Sequence, residues 1–278
     1  LWNASSGNLT WHIDFVQDPL IYSFFSAAYS PPPLGEVLVA GYKFQHSFKG
    51  VWQRRNATTG DLTLEVVYDS ASYVYDAVFS PDGEYILSGD SNGGVQLRNA
   101  STGILIQSYV YNATADNYSA HSAGVWSVAF SPDGTKLLSG SEDGTARLWH
   151  LNGTLIYTLS NHTQRILSVA YSPGGEEVAT ASSDGKIVIW NTTTGAAISE
   201  ILNNPQNEQM GVYSIAFSPD GQYILAGSQW VNIARLWTTG LPQNVPTGAP
   251  TAAAPATTTT PSPVAPPTTA GYSAQLYG

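Results

Sequence analysis

The chain has 278 residues, 20 acidic against 10 basic side chains, a formal charge of −10 and no cysteine. The missing cysteines exclude a disulfide scaffold, a thiol enzyme and a cysteine-ligated zinc site. The bases are scattered, with Arg54-Arg55 the one adjacent pair, which argues against nucleic acid, whose phosphates need clustered Lys and Arg.

In chain order, the opening segment Leu1-Trp2-Asn3-Ala4-Ser5-Ser6-Gly7 introduces a motif that returns later. A chain that starts at Leu1 reads as a processed or partial product, and an export signal can already have been removed. Ala27-Ala28-Tyr29-Ser30-Pro31 is the first, poorest copy of a second motif. It returns as Ala77-Val-Phe-Ser-Pro-Asp-Gly83, Val128-Ala-Phe-Ser-Pro-Asp-Gly134, Val169-Ala-Tyr-Ser-Pro-Gly-Gly175 and Ile215-Ala-Phe-Ser-Pro-Asp-Gly221. Its aromatic residue stands at 29, 79, 130, 171 and 217. A Trp landmark follows the copies as Gly50-Val51-Trp52, Ala146-Arg-Leu-Trp149, Val188-Ile-Trp190 and Ala234-Arg-Leu-Trp237, with Arg98 in its place in the second repeat. Asn-x-x-Thr-Gly turns come after it at Asn56–Gly60, Asn99–Gly103 and Asn191–Gly195.

Segments such as Lys136–Ser141 and Thr145–Trp149 alternate as half-buried strands do. Ser-Pro-Asp-Gly is a turn by chemistry, because Pro presets φ, Asp bonds the backbone two residues on and Gly takes positive φ. Each repeat predicts four short antiparallel strands. One such sheet cannot hide both of its faces, whereas neighbours stacked about an axis can. The repeats resemble the WD40 family over residues 1–239, most closely at His121, Val125–Gly134, Leu138–Asp143 and Leu148-Trp149. The resemblance implies an all-β propeller, and the five repeats count out five blades, closed into a ring or, as the alternative, continued by blades upstream of this chain. The opening motif is in phase with the end of the fifth repeat, so residues 1–15 are expected to supply the outer strand that closes the last blade.

Two sets of residues have the composition of a hydrolytic triad: His121, Ser139 and Asp143, and His162, Thr180 and Asp184. The resemblance gives them another role. With Trp149 and Trp190 they match structural tetrads, in which Asp bonds His, His bonds the hydroxyl and the hydroxyl meets the indole. No oxyanion pocket accompanies them, so no enzyme is expected, and no metal or other cofactor. Asp90-Ser-Asn-Gly-Gly94 looks faintly like a calcium loop but lacks the distal Glu. Lys43–Lys49 is basic and aromatic and reads as a long exposed hairpin. Trp126 and Trp230 are candidate partner-binding aromatics.

Asn-x-Ser/Thr occurs nine times, at Asn3, Asn8, Asn56, Asn99, Asn112, Asn117, Asn152, Asn161 and Asn191, where random placement gives about three. Four of these share one repeat position. Asn112 and Asn117 lie instead in an insertion at 109–119. Residues 240–278 hold 8 Pro, 8 Thr and 8 Ala, a composition that favours extended polyproline-II geometry and resembles an O-glycosylated stalk. Candidate sites there are Thr257, Thr258, Thr259, Thr260, Ser262, Thr268 and Thr269. The segment can extend to about 120 Å, enough to cross a neighbouring propeller. These features predict a non-enzymatic extracellular glycoprotein carrying covalent glycans, its propellers and tails polymerised into a fibre or surface layer. The alternatives are a cell-surface propeller binding a protein or glycan on a mucin-like stalk, and an intracellular WD40 scaffold.

Overall fold

A computed structural model describes residues 21–44, 47–68, 71–109, 121–202, 211–228 and 233–240. The chain divides into two units, Leu1–Asn244 and Val245–Gly278, and every described residue belongs to the first. The expected closing strand at 1–15 and the Pro/Thr-rich segment lie outside the described residues.

The described residues form antiparallel sheets in sequence order and no helix. The first sheet holds β1 Ile21–Tyr29, β2 Glu36–Phe44, β3 Phe48–Asn56 and β4 Leu62–Val67. The second holds β5 Val74–Phe79, β6 Tyr85–Asp90, β7 Val95–Asn99 and β8 Leu105–Tyr109. The third holds β9 Val125–Phe130, β10 Lys136–Ser141, β11 Ala146–His150 and β12 Leu155–Leu159. The fourth holds β13 Ile166–Tyr171, β14 Glu177–Ser182, β15 Lys186–Asn191 and β16 Ala197–Leu202. The fifth has β17 Val212–Phe217, β18 Tyr223–Ser228 and β19 Ile233–Thr238. The long hairpin read at Lys43–Lys49 is present as the extended ends of β2 and β3, where Phe44 faces Phe48.

The repeated turn works as its residues dictate. In the third sheet Ser131 Oγ accepts Lys136 N at 2.9 Å, Asp133 Oδ1 accepts Thr135 N at 3.1 Å, and Gly134 sits at φ 71°. The second and fifth sheets repeat this with Ser80, Asp82 and Gly83, and with Ser218, Asp220 and Gly221.

Two devices join neighbouring sheets. The first is an apolar row across one face of each sheet. Leu87 and Leu97 pack on Val125, Val128, Leu137 and Trp149 of the next sheet. Leu138 and Leu148 pack on Ile166, Val169 and Val178. Ala179 and Ile189 pack on Val212, Ile215 and Ile224. These residues are almost fully removed from water, at about 25 cal/mol per Å² of apolar area buried. The approach is close enough to require glycine: a Cβ on Gly89 would lie 2.6 Å from Val125 Cγ1, and one on Gly140 2.6 Å from Val169 Cγ1.

The second device is a polar latch between innermost strands, at a position one residue after the bulge. Asp76 Oδ2 accepts Val128 N at 3.0 Å, Ser127 Oγ accepts Val169 N at 3.2 Å, and Ser168 Oγ accepts Ile215 N at 3.2 Å. At the first junction Ser26 Oγ donates to Asp76 Oδ1 at 2.6 Å. In the fifth sheet Ser214 holds the same position and is exposed. There the apolar row also stays open, with Leu225 and Leu236 at 50% and 63% exposure, against 0% and 1% for Leu138 and Leu148.

Asp76 is the one carboxylate among these latch residues. Burial raises its carboxyl above the usual range, and the bonds from Ser26 and Val128 offset this only in part. A raised folded-state pKa means that the native chain binds the proton more tightly than the unfolded chain. Stability is therefore lost as pH rises through the folded value. Asp76→Asn keeps the acceptor for Val128 N and removes the charge. It should raise Tm at pH 7 by about 2–4 °C, the shift that ~1 kcal/mol produces in a domain of this size. The gain should shrink as pH falls through the raised folded-state value and the native carboxyl takes up its proton, and thermal unfolding across pH measures both.

Candidate functional site

The two expected tetrads are assembled. In the third sheet Trp149 Nε1 donates to Ser139 Oγ at 3.0 Å, that hydroxyl meets His121 Nε2 at 2.8 Å, and His121 Nδ1 meets Asp143 Oδ2 at 2.9 Å. In the fourth, Trp190 Nε1 donates to Thr180 Oγ1 at 2.9 Å, Thr180 meets His162 Nε2 at 2.8 Å, and His162 Nδ1 meets Asp184 Oδ2 at 3.0 Å. Every proton has one place if each His is neutral with its hydrogen on Nδ1. Burial lowers the His121 pKa, and the Asp143 bond and charge only partly oppose this. Burial alone would raise Asp143, but the His121 bond and charge and the Thr145 bonds outweigh it and hold the carboxyl well below the usual range. Asp184 is lowered by the corresponding balance with His162. Ser139 and Thr180 are fully buried, so neither hydroxyl can meet a substrate.

The strand register corrects the alignment of the first repeat. Trp149 lies opposite Leu137, Trp190 opposite Val178 and Trp237 opposite Ile224. Their counterparts are Arg98 opposite Ile86 and Arg55 opposite Val37, not Trp52, which lies opposite Ala40. Both arginines make one substitute network. Arg98 Nε donates to Gln96 Oε1 at 3.0 Å and Nη1 to Gly103 O at 2.8 Å, while Arg55 does the same to Gln53 and Gly60 at 3.0 and 2.9 Å. In the second sheet Tyr68 takes the histidine's place, bonded to Ser88 with the Arg98 guanidinium 5.4 Å from its ring. Burial pushes the Tyr68 hydroxyl up to about 12. In the fifth sheet the hydroxyl position is Ala226, and the indole N–H of Trp237 has no partner among the described residues. The faint calcium loop is a backbone turn, because Asp90 Oδ1 accepts Asn92 N at 2.8 Å and Gly94 N at 3.0 Å. No group of three metal-ligating side chains exists among the described residues.

Above the tetrads, the ends of the sheets where the innermost strands begin carry a continuous aromatic face. Phe44 packs on Phe48 at 4.8 Å, Phe48 on Tyr42 at 5.4 Å, and Tyr42 on Tyr73 at 4.8 Å. Phe25 bridges Tyr42 and Tyr75 at 5.8 and 5.5 Å. Tyr75 stacks on Trp126 at 4.3 Å and 7°, and Arg165 covers the far end at 5.9 Å from that indole. Phe25, Phe44 and Phe48 are exposed at 52%, 38% and 43%. Contiguous exposed rings mark an interaction surface more often than isolated ones do. The Arg165–Glu142 pair beside them, at 3.7 Å and half exposed, adds little stability. Of the aromatics singled out in the sequence, Trp126 belongs to this face and Trp230 lies outside the described residues. Phe25, Tyr42, Tyr73 and Tyr75 carried no sequence signal, since each reads as an ordinary strand residue until neighbouring sheets bring them together.

The recurring sequons coincide with turn chemistry. Asn56 Oδ1 accepts Thr58 N and Thr59 N, Asn99 Oδ1 accepts Ser101 N and Thr102 N, and Asn191 Oδ1 accepts Thr193 N and Thr194 N, all between 2.8 and 3.1 Å. Asn152 Oδ1 accepts Thr154 N at 3.1 Å, and Asn161 Nδ2 donates to Glu200 at 3.2 Å. The Asn and Thr letters recur because the turn needs them. Asn3, Asn8, Asn112, Asn117 and the candidate threonines and serine from 257 to 269 lie outside the described residues.

The tetrads yield a paired test. Ser139→Ala strips both His121 Nε2 and Trp149 Nε1 of their partner and should cost about 2–4 kcal/mol, since each buried orphan costs ~1–3. Ala226→Ser supplies the hydroxyl that Trp237 lacks and should add up to about 1 kcal/mol. Denaturant unfolding of the two variants measures both changes.

The family model described as "WD domain, G-beta repeat" matches residues 63–99, 113–150, 153–191 and 201–237, just over half of the chain. Among curated relatives, WD repeat-containing protein 1 of Mus musculus is 30% identical over 30% of this chain and 13% of its own length. Actin-interacting protein 1 of Drosophila melanogaster is 33% identical over 29% and 12%. Serine-threonine kinase receptor-associated protein of Rattus norvegicus is 28% identical over 42% and 29%. The chain thus spans less than a third of the length of each. These relatives are intracellular WD-repeat proteins, which overturns the expected extracellular fibre or surface-layer glycoprotein and its extracellular or cell-surface location. The physical reason for the misreading is the turn chemistry above, which writes sequons into the repeat whether or not a sugar is attached. By its repeats, sheets and tetrads the chain belongs to the WD40-repeat family.

Proposed function

We propose that the protein is a non-enzymatic intracellular WD40 scaffold that binds a partner protein through the aromatic face. The observation that carries this reading is the run of mutually packed rings from Phe44 to Trp126, with Phe25, Phe44 and Phe48 exposed and the others half-buried. Rings already held against one another lose little conformational freedom on binding, and aromatic anchors dominate interface energetics. The potential catalytic sets support it as well, because their hydroxyls are buried within the sheets. The names of the relatives make actin and a serine-threonine kinase receptor the first partners to try.

The test compares the intact chain with a face variant, Phe25→Ser with Phe48→Ser, and an edge control, Ile104→Ser with Ile106→Ser on the outer side of the second sheet. Quantitative affinity capture and actin cosedimentation should show partners kept by the wild type and the control and lost at least tenfold by the face variant, with Tm little changed. Equal retention by the face variant would remove the aromatic face from the account.

A further inference from the structure

The innermost strands β1, β5, β9 and β13 share a cavity of about 560 Å³ that is open to solvent. It runs from Asp76 and Ser127 to the turn residues Ser30-Pro31 and Ser80-Pro81, at the end of these strands opposite to the aromatic face. Val78, Phe79, Phe130 and Val169 give it apolar walls. Asp76 is half-buried, and it is the only carboxylate in the lining. No basic side chain lines the cavity with it.

The carboxylate exceeds what the fold asks of this position. The residue after the bulge is Ser26 in the first sheet, Ser127 in the third, Ser168 in the fourth and Ser214 in the fifth. Ser127 and Ser168 hold the N–H of the following sheet with a neutral hydroxyl, so the latch needs no charge. The partners of Asp76 are neutral as well: the hydroxyls of Ser26 and Ser127 and the N–H groups of Val128 and Ala77. Neutral dipoles solvate a carboxylate without cancelling its charge, and a charge withdrawn from water is costly until it is paired. This chain supplies no lysine or arginine for that purpose. All ten stand among the described residues, and none of the ion pairs there includes Asp76.

We propose that the cavity binds a primary alkylammonium group, on a free amine or at the end of a partner's lysine, with Asp76 as its counter-charge. An ammonium is a compact charge on an apolar stem. The stem matches the Val and Phe walls, and a concave apolar site with a few placed polar groups is the usual form of a ligand pocket. Ser127 accepts one backbone N–H and keeps a lone pair for a second donor. The cavity is separate from the aromatic face and does not depend on it.

The test uses the intact chain with n-butylammonium chloride. At about 50 mM it should raise the wild-type Tm by roughly 3 °C over equal sodium chloride, through binding to the folded state. Saturation-transfer NMR should place its methylene protons against the protein. n-Butanol, which has the same stem without the charge, should give neither signal. Asp76→Ser, which copies the other latches, should lose the transfer and most of the shift. A response to butylammonium alone assigns the cavity to free amines, whereas a response to Nα-acetyl-lysine amide assigns it to lysine side chains. If the wild type responds to neither ammonium, if butanol acts as strongly, or if Asp76→Ser responds as the wild type does, the proposal is wrong.

Discussion

A four-stranded sheet of this length has two apolar faces and no means of covering them by itself. Everything else in the structure follows from how that is resolved, sheet on sheet. The apolar row of one sheet is sealed by the next, as Leu138 and Leu148 are by Ile166, Val169 and Val178. Area removed from water supplies most of the attraction, but area has no direction. Direction comes from the latch, in which one side chain on the innermost strand of the second, third and fourth sheets accepts a backbone N–H of the following sheet. Asp76, Ser127 and Ser168 repeat this at three successive junctions. The tetrads act on a shorter scale. They tie two strands and a turn within one sheet, and satisfy the indole that the packing of the face has buried.

Variation among the sheets obeys the same constraint. Where the Trp is absent, an arginine bonds a glutamine and a turn carbonyl, and in the second sheet a tyrosine fills the histidine's place. The donors and acceptors change, yet each network is nearly closed. Departures are informative for that reason. Trp237 keeps its indole without a hydroxyl to meet it, and Arg147 keeps a guanidinium without an acid. The first is the mark of a sheet whose tetrad has decayed to Ala226. The second stands where the first and second sheets have a glutamine, the fourth a valine and the fifth another arginine, Arg235.

Much of the fold was legible in the sequence because its signals are local. Ser-Pro-Asp-Gly specifies a turn with its own atoms, and the alternation around Lys136–Ser141 specifies a strand. The tetrads were legible through motif order, since His121, Ser139, Asp143 and Trp149 stand where the family has them. What could not be read depends on register or on neighbours. Trp52 looked like the landmark tryptophan, but the pairing of Val37 with Arg55 gives that place to an arginine three residues later. The aromatic face was visible only as Trp126 and the aromatic segment Lys43–Lys49, because Phe25, Tyr42 and Tyr75 meet across sheets. The sequon count misled for the opposite reason. It was a local signal with two physical origins, and the turn alone accounts for Asn56, Asn99 and Asn191.

The latch is the most direct point at which to test this description. Native-state amide hydrogen exchange resolves Val128, Val169 and Ile215, whose N–H groups have side-chain acceptors on the preceding sheet. Protection of all three approaching that of the global unfolding reaction, and far above that of the outer strand β8, is the expected result. Exchange as fast as in β8 would mean that the sheets are held by apolar contact alone and that the latch has no part in fixing their order.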